Sequence, residues 1–332
     1  MISTLPKEEK QLTNIFDVAK KANVSKSTVS RVFSGSRHVS EKSRQKIIAA
    51  ADELGYMPNI LARQMRQQKT NIIGFVATSY YPAVGYLLSY ITHIAEEKGY
   101  SVNVYFTKDK EQELNVLNYL KLHVLDGLFL VSTRNGWNTI KEFAKYGPIS
   151  TWRRIDSCSI YSSYIDHHPL YKQILLYILN TYDVDNIGHI LNDRKKSNTK
   201  ARIKAINEFE HDYPCVNNDW QLFFPEQGGA GKQAALTYLK TINPPKVVLA
   251  YSDYVAADFI STLREHQVNV PRDVKVFGFD NSDFGKYMNI STVDTHMEIQ
   301  AINCINNIIS RLENKKFEEI KITPRLIIRT TC

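Results

Sequence analysis

Covalent cross-linking has little to offer this chain of 332 residues. Its four cysteines, Cys158, Cys215, Cys304 and Cys332, are scattered without a close pair. That argues against a disulfide framework or a zinc cluster and suits a reducing cytoplasm. No stretch approaches the ~20 continuous apolar residues that a membrane span needs. Met1 to Lys10 has no apolar core and no cleavage signature, so no secretion signal is expected. Gly-x-Ser-x-Gly, a Cys–His nucleophile pair and a dinucleotide fingerprint are all missing, which leaves no catalytic residue and no cofactor to nominate. Gly228-Gly229-Ala230-Gly231-Lys232-Gln233 comes near a phosphate loop. Glu226, however, stands where the first glycine is required, and Gln233 replaces the magnesium-binding hydroxyl. It reads as a glycine-rich loop entering a helix. His167-His168 lacks a third ligand at metal spacing, so no metal site is expected there, and His167 is placed near a cleft. Trp152 and Trp220 are expected in the core or a cleft wall.

What is present is an ordinary globular composition, 43% hydrophobic and 23% charged, and enough length for two or three domains. Charge placement says more. Residues 1–70 hold 13 Lys/Arg against 6 Asp/Glu, a net of +7, out of +8 for the whole chain. A compact basic module on a near-neutral body is the footprint of a phosphate-binding head.

Within that module three short helices are predicted. Asn14 is placed to cap the first, with Asp17 three residues on, and Ile15, Val18, Ala19 and Ala22 share one face. Asn23 is expected in the left-handed conformation of a tight turn. Ser25 caps the second helix, with Val29 and Val32 inward and Gly35 as its stop. Ser40 caps the third, with Ile47, Ile48, Ala51 and Leu54 inward and Gly55 at its end. Helix, short turn, helix is the unit whose second helix enters the major groove of DNA. The residues at that position are Lys26, Ser27, Thr28 and Ser30, with Arg31 one turn on. They are hydroxyls and cations suited to bases and phosphates, and no acidic residue occurs from Lys26 to His38.

Asp17-Val18-Ala19, Val24-Ser25, Ser27-Thr28-Val29-Ser30-Arg31-Val32 and Leu54-Gly55-Tyr56 resemble the signature of the lac repressor (LacI/GalR) family, and Pro58-Asn59 with Leu61-Ala62-Arg63 extend it. Asn23 departs from the family's usual glycine. The resemblance implies that residues 58–70 are a hinge that folds in the minor groove against a dimer mate. Asn59 and Ala62 would then lie on DNA, and Met65 would take the place of the family's leucine wedge. Residues 1–12 are expected to be a disordered extension and 13–57 the DNA-binding domain.

From 71 to 332 short apolar runs alternate with helical patterns. Strands are predicted at 72–78, 101–106, 127–131, 187–191, 247–251 and 274–279, with helices such as 87–98 and 231–240 between them. This is an α/β doubly wound body in two lobes, with ligands at the carboxyl ends of its strands. Val124-Leu125-Asp126-Gly127-Leu128, Val270-Pro271-Arg272-Asp273-Val274 and Gly278-Phe279-Asp280 continue the resemblance. It implies a body similar to periplasmic sugar-binding proteins, with three crossovers and a ligand in the cleft. By that resemblance Arg202, Ser252, Asp253 and Asp280 take effector-contacting positions, and Tyr80 and Arg154 stand at the cleft. Several positions depart from the family. Ala83-Val84 replace an aromatic pair, Ser252 replaces Asn, Arg153 replaces an Asp beside Arg154, and Glu226 falls near the place of a stacking aromatic. The extra cation leaves room for an acidic or phosphorylated ligand.

The expectation is a homodimeric repressor on a near-palindromic operator, released or engaged by a small effector, most simply a carbohydrate. It is not expected to be an enzyme or to meet a membrane. The chain stops soon after the last strand pattern, 326–330, with no heptad helix, which favours a dimer over a tetramer. The altered cleft keeps an alternative open, control by a partner protein in place of a small ligand.

Overall fold

The computed structural model describes residues 13–33, 38–57, 69–155, 158–225 and 228–332. The chain divides into two compact units, Met1–Thr70 and Asn71–Cys332. Residues 1–12, most of the hinge at 58–70 and Gly35 lie outside the described residues.

In the first unit α1 (Ile15–Ala22), α2 (Lys26–Phe33) and α3 (Glu41–Glu53) surround a small core. Asn14 opens α1 with a capping box: its side chain accepts from Phe16 N at 2.8 Å, and Asp17 Oδ2 accepts from Asn14 N at 2.9 Å. Asn23 ends α1 at φ 52°, ψ 51°, the left-handed region that a polar side chain tolerates. Ser25 Oγ accepts from Thr28 N at 3.2 Å and Ser40 Oγ from Ser43 N at 3.3 Å, so both predicted caps are made. Val18, Val29 and Ile47 are fully buried at the centre. Ile48, expected inward, is exposed instead. At about 100° per residue the inner stripe of α3 runs through Ile47, Ala50, Ala51 and Leu54, and Ile48 falls to its side. Asn23→Val should destabilise the head by about 1–2 kcal/mol while Asn23→Gly is tolerated, because only the branched side chain clashes at positive φ. Equal thermal unfolding of the two variants would overturn that account.

The second unit holds two parallel sheets. The first has order β2-β1-β3-β4-β5, with β1 Ile72–Ala77, β2 Ser101–Phe106, β3 Gly127–Leu130, β4 Ile149–Thr151 and β5 Tyr161–Ser162. Helices α4 (Pro82–Glu97), α5 (Lys110–Lys121) and α6 (Trp137–Ile140) accompany it. The second sheet has order β7-β6-β8-β9, with β6 Ile187–Leu191, β7 Gln221–Phe223, β8 Val247–Ala250 and β9 Lys275–Phe277. Its helices are α7 (His167–Thr181), α8 (Ser197–Asp212), α9 (Ala230–Tyr238), α10 (Asp253–Glu265) and α11 (Asp283–Tyr287). An antiparallel pair, β10 (Thr292–Asp294) and β11 (Arg325–Ile327), lies beside it, and α12 (Met297–Leu312) falls between these two strands in the chain. The six strands read from apolar runs are all present, some shorter by one to three residues. Strands β4, β5 and β7 span two or three residues, too few to show a pattern in sequence.

Both sheets reverse direction beside their first strand, between β1 and β3 and between β6 and β8. Crevices open outside the carboxyl ends of strands at such points. The glycine-rich run 228–233 supplies the start of α9. A Cβ on Gly231 would run into the Val255 carbonyl and the Phe259 amide, so glycine there lets α9 lie directly on α10.

The chain passes between the lobes three times. After lobe two, α12 returns to lobe one, where Ala301, Cys304, Ile305 and Ile308 join Ile73, Phe75 and Phe129 in one core. The tail then crosses back, and Thr331 Oγ1 donates to Val276 O at 2.7 Å. One face of α12 ties these passages. Asn303 is fully buried; it accepts from Ile320 N at 2.9 Å and donates to Ile320 O at 2.8 Å and to Ser163 Oγ at 3.4 Å. One turn earlier Gln300 donates to Thr295 O at 2.9 Å. Ser163, Thr295 and Ile320 each lie in a different crossing. Asn303→Ala strands the Ile320 N–H and carbonyl, so it should cost about 1–3 kcal/mol in urea unfolding of the body. A loss below a few tenths would show the clamp to be ornamental.

Candidate DNA-binding face and effector cleft

At the start of α2, Lys26, Ser27 and Arg31 are exposed, and Thr28 and Ser30 are half-buried. The Ser27 and Thr28 hydroxyls lie 2.7 and 2.8 Å from Ser25 Oγ, which fixes their direction. Lys26 Nζ stands 4.3 Å from the centroid of the exposed Phe16 ring, whose face holds the ammonium near the helix N-terminus. No acidic residue occupies the first turn of α2, and helix N-termini favour anions. The nominated hinge residues Asn59, Ala62 and Met65 lie outside the described residues.

In the body, a cavity of about 520 Å³ opens between the lobes. Lobe one lines it with Tyr80, Tyr86 and Tyr90, and lobe two with Ser252, Tyr254 and Asp280. Tyr86 and Tyr90 pack at 5.0 Å between centroids, and Tyr254 meets Phe284 edge-on at 5.2 Å, so both walls are aromatic. The Tyr86 hydroxyl is pushed far above its ordinary range by burial, helped by Tyr90, and stays protonated. Of the nominated residues, Tyr80, Ser252, Asp253 and Asp280 come together around this space.

Asp280 stands on the loop after β9 with φ 103°, a conformation rare for an L residue. Its backbone N–H donates to Val293 O at 2.9 Å. The next residue, Asn281, is held by Arg329, whose Nη2 donates to Asn281 Oδ1 at 2.6 Å and Nη1 to Ile290 O at 2.7 Å. Burial raises the Asp280 carboxyl to about 6, against the opposing pull of Arg202 and Arg153. Among the described residues its carboxylate makes no ion pair.

Arg202 is only 3% exposed and reaches the site from α8. Its Nη2 donates to Tyr251 O and to His167 Nδ1, each at 3.1 Å, and its guanidinium lies 4.3 Å over the Phe279 ring. His167 stacks on the same ring at 4.6 Å. A guanidinium only donates, so Nδ1 of His167 accepts and its proton sits on Nε2. Nε2 lies 2.9 Å from Asn198 Nδ2; two donors would meet there, so the Asn198 amide is assigned the flipped orientation that turns its oxygen to the ring. Burial first, then Arg202 and Arg153, hold His167 well below the ordinary histidine range, so it is neutral.

Two nominated residues sit differently from expectation. Asp253 is fully buried and its carboxylate is used inside lobe two. Oδ2 accepts from Ser282 N at 2.7 Å and Ser282 Oγ at 3.1 Å, and Oδ1 from Thr292 Oγ1 at 2.6 Å. A Cβ on Gly278 or Gly285 would strike its carboxylate oxygens. Asp253 therefore ties α10 to the cleft loop, although it also borders the cavity. Arg154 points outward, 3.9 Å from Asp166 and over the Tyr164 ring. Its neighbour Arg153 takes the inner side, with Nε donating to Val131 O and Nη2 to Tyr81 Oη, both at 2.9 Å. The two adjacent arginines just after β4 point in opposite directions, which a residue count does not reveal. The sequence places His167 near a cleft and marks Arg153 as an extra cation there, whereas Asn198 and Arg329 are not singled out and leave no sequence signal.

A basic helix-turn-helix unit with a separate two-lobed α/β unit defines the class, a DNA-binding bacterial regulator with a binding-protein-like body. Residues 14–59 match the family of bacterial regulatory proteins of the lacI type, and residues 183–332 a periplasmic binding protein-like domain. The chain belongs to the lacI family and is a transcription regulator. It is 29% identical to the NTD biosynthesis operon regulator NtdR of Bacillus subtilis, over 96% of this chain and 99% of that one. It is 25% identical to the HTH-type transcriptional repressor PurR of Photobacterium profundum, over 96% and 98%. The lac repressor dimer bound to operator and the anti-inducer ONPF shares its fold, with a TM-score of 0.82 at 20% identity over 97% and 99% of the two chains.

A buried acid with a raised pKa stabilises the fold most when protonated. The contribution of Asp280 is complete below about pH 4, the unfolded value, and is lost as pH rises through its folded value of about 6. Asp280→Asn removes that penalty, so its stability relative to the parent should rise from pH 4 to pH 8. A flat difference in denaturant unfolding across that range would contradict the assigned burial.

Proposed function

We propose that this protein is a homodimeric repressor whose head reads a near-palindromic operator and whose cleft binds a small polar effector, a sugar or sugar derivative. The observation that carries the DNA half is the acid-free start of α2, with Lys26, Ser27 and Arg31 exposed beside the ordered hydroxyls of Thr28 and Ser25. In this reading Lys26 and Arg31 meet phosphates, and Ser27, Thr28 and Ser30 reach base edges. Asn59, Ala62 and Met65 act in the hinge, with Met65 wedging the central base step. A dimer is supported by the lac repressor structure of the same fold, which is a dimer on operator.

The effector half rests on the cavity between the lobes, where aromatic walls meet Asp280 and the Ser252 hydroxyl. Aromatic faces cover the apolar face of a sugar, and a carboxylate accepts from neighbouring hydroxyls. Arg202 backs Asp280 and holds His167 neutral. Effector binding changes lobe closure, and the coupling to DNA affinity is reciprocal.

Arg31→Ala should weaken operator binding at least tenfold in electrophoretic or anisotropy titration and flatten the dependence of affinity on salt by about one phosphate contact. Unchanged operator affinity would remove its role. Arg202→Met should retain operator binding yet lose the response to effector, and a normal response would sink the cleft assignment. If no small molecule alters operator affinity but a protein partner does, control by a partner replaces this reading.

A further inference from the structure

Two arginines stand behind the cleft wall near Asp280, and among the described residues nothing negative is in contact with either. Arg153 belongs to lobe one, at the carboxyl end of β4, and Arg202 to lobe two. Among the described residues the acceptors of Arg153 are neutral, the Val131 carbonyl and the Tyr81 hydroxyl. So are all those of Arg202, the Tyr251 carbonyl and the neutral His167 ring. Among the described residues Nη1 of each guanidinium donates to nothing, and the buried Nε of Arg202 has no partner either. Asp280 lies close enough for both cations to act on its carboxyl, yet pairs directly with neither. Both cations also act on His167. Burying a cation without a counter-ion is costly. Here two cations from opposite lobes share one distant carboxylate, and they repel each other more as the lobes approach.

We propose that the effector carries an acidic group, a carboxylate or a phosphate, that bridges Nη1 of Arg153 and Nη1 of Arg202 across the cleft and offers a hydroxyl or amine to Asp280. This rests on the reading of the cleft as an effector site and names the chemistry of its ligand. The bridging anion cancels the repulsion between the lobes and draws them together. A neutral sugar leaves both cations uncompensated, so charge itself selects the ligand and drives closure. The aromatic walls then accept whatever ring carries the acid.

The test uses the full-length protein. Inorganic phosphate is titrated against chloride at equal ionic strength, reading the thermal midpoint and tryptophan fluorescence. All three tryptophans, Trp137, Trp152 and Trp220, lie in the body. Trp152 packs 4.8 Å from the Arg153 guanidinium, so the signal reports the cleft and not the basic head. The expected result is a saturable phosphate response that weakens at least tenfold in Arg153→Gln and partly returns in Arg153→Lys, which keeps the charge without the fork. The second variant also serves if the first folds poorly. A second arm compares glucose with glucuronate and glucose 6-phosphate by calorimetry. At least tenfold tighter binding of one acid identifies the group as carboxylate or phosphate. The proposal is overturned if phosphate acts no differently from chloride, if Arg153→Gln responds like the parent, or if glucose binds as tightly as both acids. Glucose binding that alters operator affinity, with no phosphate response, would retain the effector reading and discard the anion. A phosphate site whose occupation by any of these ligands leaves operator affinity unchanged would retain the anion site and discard the effector reading.

Discussion

The body depends on one constraint, that its chain leaves lobe one, returns to it and leaves again. Because α12 completes the core of lobe one after lobe two has been built, neither lobe is a continuous stretch of chain. The backbone at all three crossings must therefore be satisfied where the lobes meet. From one face of one helix Gln300 donates to the Thr295 carbonyl, and Asn303 donates to the Ile320 carbonyl and the Ser163 hydroxyl while accepting from Ile320 N. Buried polar groups satisfied in this way specify a single arrangement, since any other leaves them unpaired. The three passages are thereby joined.

The two carboxylates of lobe two show how environment divides roles. Asp253 and Asp280 are both raised by burial, to about 7 and about 6. Asp253 is enclosed by Ser282, Thr292 and two glycines, and it organises the loop that carries Asp280. Among the described residues the Asp280 carboxylate accepts no hydrogen bond, and the residue sits at φ 103° beside the cavity. Strain of this kind persists only where surrounding contacts enforce it, and Asp253 together with Arg329, just beyond β11, supply them. A rigid loop is what a binding carboxylate needs, because affinity falls when ordering must accompany binding.

The head works by different means. Its core is small, and its stability leans on local devices: the Asn14–Asp17 box, the Asn23 turn, and the Ser25 and Ser40 caps. Each was legible in the sequence because each is satisfied within four residues. The error at Ile48 has the same origin. Periodicity places a residue within about 60° of its true direction, and with so narrow an inner stripe that decides between buried and exposed.

In the body the strands were legible from their apolar runs, because a strand buried on both faces needs continuous hydrophobic residues wherever it sits. The class of the cleft was legible as well, since residues at the carboxyl ends of strands lie on one side of any parallel sheet. Side-chain direction was not. Whether Arg153 or Arg154 turns inward, whether Asp253 faces ligand or protein, and that Arg329 braces a loop some forty residues earlier all depend on contacts between segments far apart in the chain. The sequence by itself determined the elements, their caps and the basic head, because those follow from neighbours a few residues away. Which of the two adjacent arginines turns inward was decided by tertiary structure, because the Val131 carbonyl and Tyr81 hydroxyl that hold Arg153 come from distant segments of the chain.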